Sequence, residues 1–273
     1  MIREAMSKTI VMTAPITGEL ADLADFTCSL ATTAASVTRS YFRKPIDVIQ
    51  KLDSSPVTIA DRECEARLRD MITERFPGHG ILGEEHGFEG SELTDIWVID
   101  PIDGTKSFIS GLPLYGTLIA FSRDKDVRIG AISMPELDEF WIGIANEGSY
   151  FNGTRCHTSD CRKLEDAILM TTALEYFSPE NREKFAALRE KSRIRRYGGD
   201  CYIYAMVASG WADLAVETGL QTYDYMALIP VIEEAGGVIT DWSGKRPDFN
   251  SDGTIVAAAT KELHQQALEI LGR

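Results

Sequence analysis

The stretch Trp97–Phe108, WVIDPIDGTKSF, decides how the rest of the chain is read. The apolar run Ile96–Ile99 goes straight into Asp100, and Asp103-Gly104-Thr105-Lys106 follows. Two readings are open. Asp-Pro and Asp-Gly are common turn dipeptides, so the run is a strand ending in an ordinary turn. Alternatively, the strand delivers two carboxylates to a metal. Three features favour the second. Asp100 and Asp103 lie at the end of a buried strand, where loops of mixed folds carry function. Gly104–Ser107 opens a short helix or turn whose backbone N–H groups face an anion. Glu84-Glu85 ends another apolar run, Gly80–Gly83, which an adjacent strand brings close.

Carboxylates gathered at strand ends repel unless a cation neutralises them or they take up protons. Hard oxygen ligands at irregular spacing suit magnesium rather than zinc, and magnesium is commonly held by few carboxylates plus a substrate phosphate. Metal-assisted phosphate chemistry is the resulting expectation.

On the N-terminal side, 16–42 has helical apolar spacing (Leu20, Leu23, Phe26, Leu30). After a turn at Ser54-Ser55-Pro56, Thr58–Phe76 reads as a second helix stopped by Pro77-Gly78. On the C-terminal side, Leu114–Ser122, Val127–Met134 and Glu139–Ala145 read as successive strands, and Asn152-Gly153 marks a hairpin. From Leu164 strands and helices alternate: strands at Ala167–Thr172, near Ile194, at Ala212–Glu217, Val238–Asp241 and Thr254–Ala259, and helices at Pro179–Lys191, Cys201–Ser209, Tyr223–Ala235 and Lys261–Leu271. The predicted fold class is α/β with an α+β front half. A helix pair and antiparallel sheet occupy 1–150 and carry most metal ligands. An α/β half occupies 151–273, with no flexible linker, so the two pack as one body.

A net charge of −14 disfavours nucleic acid and anionic membranes as partners. No apolar run is long enough to span a bilayer. The first 20 residues have no sustained apolar core, so no signal peptide is read, and the first dozen are expected to be loose. Five scattered cysteines fit neither a disulfide framework nor a strong zinc pattern, which points to a reduced, cytoplasmic protein. His79, His86, His157 and His264 read as surface or loop residues, with His86 placed to support the acidic motif. Arg193–Arg196, RIRR, reads as a strand edge.

Four motifs in register, DPIDGTKSF at Asp100–Phe108, GEE at Gly83–Glu85, SPVTIAD at Ser55–Asp61, and Asp224 followed by EAGG at Glu234–Gly237, resemble those of the inositol monophosphatase superfamily. They span nearly the whole chain. The spacing Asp-x-x-Asp-Gly-Thr argues against the Asp-x-Asp-Gly-Thr nucleophile loop of haloacid-dehalogenase-type phosphatases. One departure is that Tyr223 stands where the family usually has Trp, with Tyr225-Met226-Ala227 where small residues are usual. The resemblance implies a layered αβαβα sandwich, two to three Mg2+ ions, lithium sensitivity, direct attack by water on a small-molecule phosphate monoester, and a homodimer. It further implies that Glu84, Asp100 and the Ile102 carbonyl hold one ion and Asp100, Asp103 and Asp224 a second. A third near Glu84 carries the attacking water, which Thr105 orients while Glu84 takes its proton. The N–H groups of Gly104 and Thr105 cradle the phosphate.

The segment RRYGGDCYIYA, Arg195–Ala205, has Asp200 and an aromatic after its glycine, which resembles the histidinol-phosphate phosphatase branch. A carboxylate pairs with the ammonium or imidazolium of that substrate, a charge-assisted bond worth about 1.5–3 kcal/mol. Glu217, seven residues before Asp224, is a second candidate for the substrate's polar end. The plainer role for Asp200 is to cap the following helix. L-Histidinol phosphate, in the phosphate-releasing step of histidine synthesis, is the expected substrate. An inositol or sugar phosphate is the alternative, followed by a 3′-phosphoadenosine nucleotide, with a non-catalytic sensor last.

Overall fold

The computed structural model describes residues 18–50, 56–90 and 94–272. The expectations for the N-terminal segment and for the turn at Ser54-Ser55 lie outside them.

Helix α1 (Glu19–Tyr41) and helix α2 (Ile59–Arg75) flank a short hairpin of β1 (Val48–Gln50) and β2 (Pro56–Thr58). The many threonines of α1 are accommodated because Thr27, Thr32 and Thr38 return their hydroxyls to carbonyls four residues back, at 2.8–3.0 Å. A reciprocal cap starts α2: Asp61 Oδ2 accepts from the Thr58 N–H at 2.8 Å, and Thr58 Oγ1 accepts from the Ala60 N–H at 3.1 Å. Strands β3 (Gly80–Gly83), β4 (Gly87–Glu89) and β5 (Asp95–Asp103) follow. Then come the short helix α3 (Thr105–Ile109) and strands β6 (Gly116–Arg123), β7 (Asp126–Met134), β8 (Glu139–Ile144), β9 (Gly148–Phe151) and β10 (Thr154–Arg155). They form one eight-stranded sheet in the order β10-β9-β8-β7-β6-β5-β3-β4, antiparallel except where β3 runs parallel to β5. This sheet extends past residue 150 to Arg155.

The back half holds β11 (Ile168–Thr171), α4 (Pro179–Lys191), β12 (Ile194–Tyr197), α5 (Tyr202–Ala208), β13 (Leu214–Glu217), α6 (Thr222–Tyr225), α7 (Leu228–Glu233), β14 (Val238–Thr240), β15 (Ile255–Ala258) and α8 (Lys261–Leu271). Its five-stranded sheet has the order β12-β11-β13-β15-β14, so Arg195 and Arg196 do lie on an edge strand.

Alternation along β5 explains the layering. Trp97 and Ile99 face α1 and α2, while Ile96 and Val98 face α5 and α7. On the second sheet Ala215 and Ala257 face those same helices, and Leu214, Val216 and Val256 face α4 and α8. The layers therefore run helix pair, sheet, helices, sheet, helix pair: an αβαβα sandwich, as expected. No helix among the described residues is long and apolar enough to cross a membrane.

Two expectations are corrected here. The single helix expected over Tyr223–Ala235 is two, α6 and α7, because Pro230 lacks the N–H that would bond the Met226 carbonyl. Of the four histidines read as surface or loop residues, one is neither; His79 keeps its loop position, between α2 and β3, but is half-buried. His264 is buried, with Nε2 2.8 Å from Thr240 Oγ1. His79 stacks on Phe76 at 4.7 Å and accepts from the Trp97 indole at 3.1 Å. Helical and strand periodicity alone does not distinguish a satisfied interior imidazole from an exposed one.

Helix α7 is apolar from Leu228 to Ile232, all of them buried, because it lies between the sheets. Its backbone rests directly on β7 and β8: a Cβ at Gly130 would collide with the Ala227 carbonyl, and one at Gly143 with the Pro230 carbonyl. Gly143→Ala is expected to cost about 2–3 kcal/mol of stability by overpacking, read as a lower urea midpoint. An unchanged midpoint would mean the helix is free to shift.

Candidate active site

Strand register gathers the carboxylates. Because β3 and β5 are parallel with Gly83 opposite Ile99, the next residue along β3, Glu84, falls beside Asp100. On the other side of β5, Asp100 pairs with Leu118 and Asp103 with Gly116. Three steps on β5 thus match two on β6, which is a β-bulge. In a regular strand, residues three apart point to opposite faces. The extra residue restores both aspartates to one face. Pro101 sits in the bulge, where its missing N–H breaks no ladder bond. Ile102 donates its N–H to Asp100 Oδ1 at 3.0 Å, and the Pro101 carbonyl accepts from Thr117 Oγ1 at 2.8 Å. The strand therefore runs through Asp103 rather than ending at Asp100.

Asp224 arrives from the back half on α6, where Gln221 donates its N–H to Asp224 Oδ2 at 2.6 Å. One oxygen from each of Asp100, Asp103 and Asp224 lies within 4.8 Å of the others. Burial, reinforced by the charge of Glu84, holds the Asp100 carboxyl well above its ordinary range. Burial, then the neighbouring Asp200 and Asp224, does the same for Asp103. Asp224 is pushed up to about 7, chiefly by burial. Among the described residues this all-oxygen group is the cluster with metal-holding geometry; Cys156, His157 and Cys161 form none. Its donors fit magnesium.

Glu84, Asp100, Ile102, Asp103, Gly104, Thr105, Asp200, Glu217 and Asp224 all line one cleft of about 640 Å³ between the two sheets. Every site residue expected from sequence is brought together there. Cys201 lines it too, but burial pushes its thiol well up and its Sγ lies against Met134 Sδ at 3.8 Å, so it is not poised as a thiolate. Gly104 takes φ 82°, and a Cβ there would lie 2.7 Å from Asp200 Oδ2. Both the left-handed backbone and the closeness of Asp200 favour glycine there. At the start of α3 the first N–H groups have no partner within the helix.

Asp200 does not cap α5. Its φ of 48° aims it at α3 instead, where Ser107 Oγ donates to its Oδ2 at 2.8 Å. Asp103 Oδ2 takes the Cys201 N–H in its place, at 2.5 Å. Glu217, at the end of β13, is buried and accepts from the Thr172 N–H at 2.9 Å; burial raises its carboxyl to about 7. The buried Tyr204 also lines the cleft.

Sequence reasoning gives no individual role to two residues, although Asp61 closes SPVTIAD, a motif that the resemblance puts near the metal site. Asp61 uses one oxygen in the α2 cap and holds the other 3.5 Å from Thr105 Oγ1, which also lies 3.2 Å from the Ile102 carbonyl. The capping pattern in SPVTIAD signals the first contact and not the second. Glu65, wholly buried in α2, accepts from the N–H groups of Glu85 at 2.7 Å and His86 at 3.1 Å, and from Arg69 Nε at 2.8 Å. It pins the turn that carries Glu84. His86 meets Glu65 at 3.1 Å, outside the cleft.

With this geometry in view, residues 19–273 match the model of the inositol monophosphatase family. The chain is 45% identical over 252 residues to the bifunctional phosphatase IMPL2, chloroplastic, of Arabidopsis thaliana, covering 89% of this chain and 73% of that one. It is 36% identical over 230 residues to a histidinol-phosphatase of Chlorobaculum parvum, covering 84% and 89%. A solved inositol monophosphatase from Zymomonas mobilis superposes with a TM-score of 0.86 at 38% identity, over 94% of this chain and all of that one.

The raised carboxyls set a pH dependence. Below about pH 4 Asp224 and Glu217 hold their protons whether folded or unfolded. As the pH climbs towards about 7, the unfolded chain releases them and the folded chain keeps them, so stability present in acid is lost. In chelator-treated protein, Asp224→Asn is expected to raise Tm more at about pH 8 than at about pH 5, and added Mg2+ should shrink the gain. An equal gain at both pH values would contradict the repulsion. Glu65→Ala removes the acceptor of the Glu85 and His86 N–H groups and leaves the buried Arg69 with the Gly87 carbonyl and Glu89 as partners, and should cost about 3 kcal/mol in urea unfolding; a loss under about 1 kcal/mol, the range of an exposed pair, would show that those remaining partners and water suffice.

Proposed function

The chain belongs to the inositol monophosphatase family, and we propose that it is a magnesium-dependent phosphatase that hydrolyses L-histidinol phosphate. The observation that carries the substrate assignment is a surplus of carboxylates. Glu84, Asp100, Asp103 and Asp224 suffice for cations, yet Asp200 and the buried Glu217 line the same cleft. A neutral polyol offers such groups only hydroxyls. An ammonium and an imidazolium give them charge-assisted partners. The relatives named as histidinol-phosphatase and bifunctional phosphatase support this reading.

In this account Glu84, Asp100, the Ile102 carbonyl, Asp103 and Asp224 would hold two to three Mg2+ ions. When bound, magnesium lowers the pKa of water and neutralises charge on the phosphoryl oxygens. The chain supplies the rest. The single hydroxyl proton of Thr105 has Ile102 O and Asp61 Oδ1 as acceptors, which leaves the Thr105 oxygen able to accept from a water and orient it. Glu84 takes the proton of that water as its oxygen attacks phosphorus. The Gly104 and Thr105 N–H groups hold phosphoryl oxygens, where preorganised donors favour charge developing in the transition state. The ester bond breaks to give alcohol and inorganic phosphate, with Asp200, Glu217 and Asp224 around the leaving alcohol. Front and back halves act as one unit, since Asp224 completes a cluster begun on β3 and β5. We place the enzyme in the cytoplasm, as a homodimer.

Inositol 1-phosphate is the second reading, favoured by the Zymomonas mobilis structure. Phosphate release with Mg2+ separates the two. A kcat/KM ratio of about a hundredfold or more for L-histidinol phosphate, near 2.7 kcal/mol, is expected. Comparable rates would remove the substrate assignment and leave the metal chemistry standing. Asp103→Asn should abolish turnover in a folded protein; a near-normal rate at saturating Mg2+ would contradict the ligand set. Asp200→Asn should lower the ratio of kcat/KM on L-histidinol phosphate to that on p-nitrophenyl phosphate by about tenfold. Equal loss on both would make Asp200 a support for α3 alone.

A further inference from the structure

One contact at the mouth of the cleft has no part in the chemistry above. Lys106, on α3, places Nζ 2.8 Å from Oε1 of Glu175 and 4.5 Å from the centre of the Tyr176 ring. Glu175 and Tyr176 belong to a 3-10 turn, Leu174–Tyr176, that follows β11, so the bridge joins the two halves across the opening. The backbone of this turn is anchored. Thr218 Oγ1 donates to the Tyr176 carbonyl at 3.0 Å, and Arg182 Nε donates to the Leu174 carbonyl at 2.9 Å. The adjoining Phe177 is buried against Phe185. The side chains, by contrast, stand in solvent: Lys106 is 53% exposed and Glu175 65%.

Lys106 is the one basic residue among the described residues lining the cleft, against seven carboxylates. An ion pair this exposed is screened by water and holds its partners weakly. A phosphate dianion on the N–H groups of Gly104 and Thr105, the two residues before Lys106, is a stronger partner for the ammonium. Lysine's flexible stem allows the exchange. Once Lys106 turns away, a carboxylate and an aromatic face remain, already arranged around the place of an ammonium.

We propose that Lys106, Glu175 and Tyr176 form an exchangeable subsite. The Lys106 ammonium holds the place of the substrate's cationic group and moves to the substrate's phosphate as the ester binds. Glu175 and Tyr176 then become specificity-determining residues for a monoester that carries a cation on its leaving group. A neutral ester draws Lys106 off equally well but leaves Glu175 unpaired, and so is disfavoured. This deepens the histidinol phosphate reading and rests on it.

The test is steady-state kinetics of the Mg2+-loaded enzyme on L-histidinol phosphate and inositol 1-phosphate. Glu175→Gln is expected to lower the kcat/KM ratio between the two esters about tenfold, mainly through a higher KM for the cationic one. Lys106→Met should raise KM for both esters by a similar factor. If the wild-type enzyme prefers L-histidinol phosphate and Glu175→Gln keeps the full preference, the exchange is wrong and the bridge is a tie between the halves. If Lys106→Met lowers KM for both, Lys106 merely obstructs the cleft, which also overturns the proposal. If the wild-type enzyme has no such preference, the substrate reading fails first and the exchange fails with it.

Discussion

Mutual repulsion among Glu84, Asp100, Asp103 and Asp224 is sustained because the elements that carry them are clamped by cores they cannot leave. Asp100 lies in β5, a strand whose apolar residues are buried on both faces. Asp224 is tied to its own helix by the Gln221 N–H, and Asp103 to the start of α5 by the Cys201 N–H. Each anchoring bond favours the charged form, while burial and neighbouring charge oppose it, and in these carboxyls burial prevails. The folded chain thus stores an electrostatic cost that protons or cations relieve. Among the described residues, seven carboxyl groups and one ammonium around a single cleft make a dianionic ester unwelcome unless cations are there first.

The bulge between Asp100 and Asp103 converts an awkward spacing into a functional one. Two carboxylates three residues apart on a plain strand would face opposite layers. One would be lost among Trp97, Ile99 and the helix pair. With Pro101 as the extra residue, both reach the cleft, and the chain then turns through Gly104 into α3. The same local irregularity places the Gly104 and Thr105 N–H groups, which we propose hold the phosphate, directly after the carboxylates. Asp100, Asp103 and the Gly104 and Thr105 N–H groups are consequently fixed relative to one another by a few backbone dihedrals, whereas Glu84 and Asp224 reach them by strand pairing and by packing of the two halves.

Much of this was legible in the sequence. Pro179–Lys191 and Lys261–Leu271 are helices with the bounds that their capping and stop residues indicate. All nine expected site residues line the cleft, because strand ends and Asp-Gly turns are read from local pattern. Other features were hidden for physical reasons. The bulge depends on pairing with β6, which no local pattern on β5 announces. Asp61 announces a helix cap, and its second oxygen reaches Thr105 only once α2 and α3 meet. Glu65 looks like one more charge on a polar helix, yet it is wholly buried because the turn at Glu84–His86 needs an acceptor. Asp200 follows the sequence rule for a cap, but its left-handed backbone conformation turns it to Ser107.

The most direct test of the central claim is calorimetric titration of Mg2+ into the chelator-treated protein, its Asp103→Asn variant and its Asp224→Asn variant, with circular dichroism to show that all three are folded. The account predicts Mg2+ binding to the wild-type chain that each substitution weakens about tenfold or more, as expected when a charged ligand is lost. Undiminished affinity in both variants would contradict it: the carboxylate cluster would then be a buried acidic group sustained by protons, and the metal would bind elsewhere.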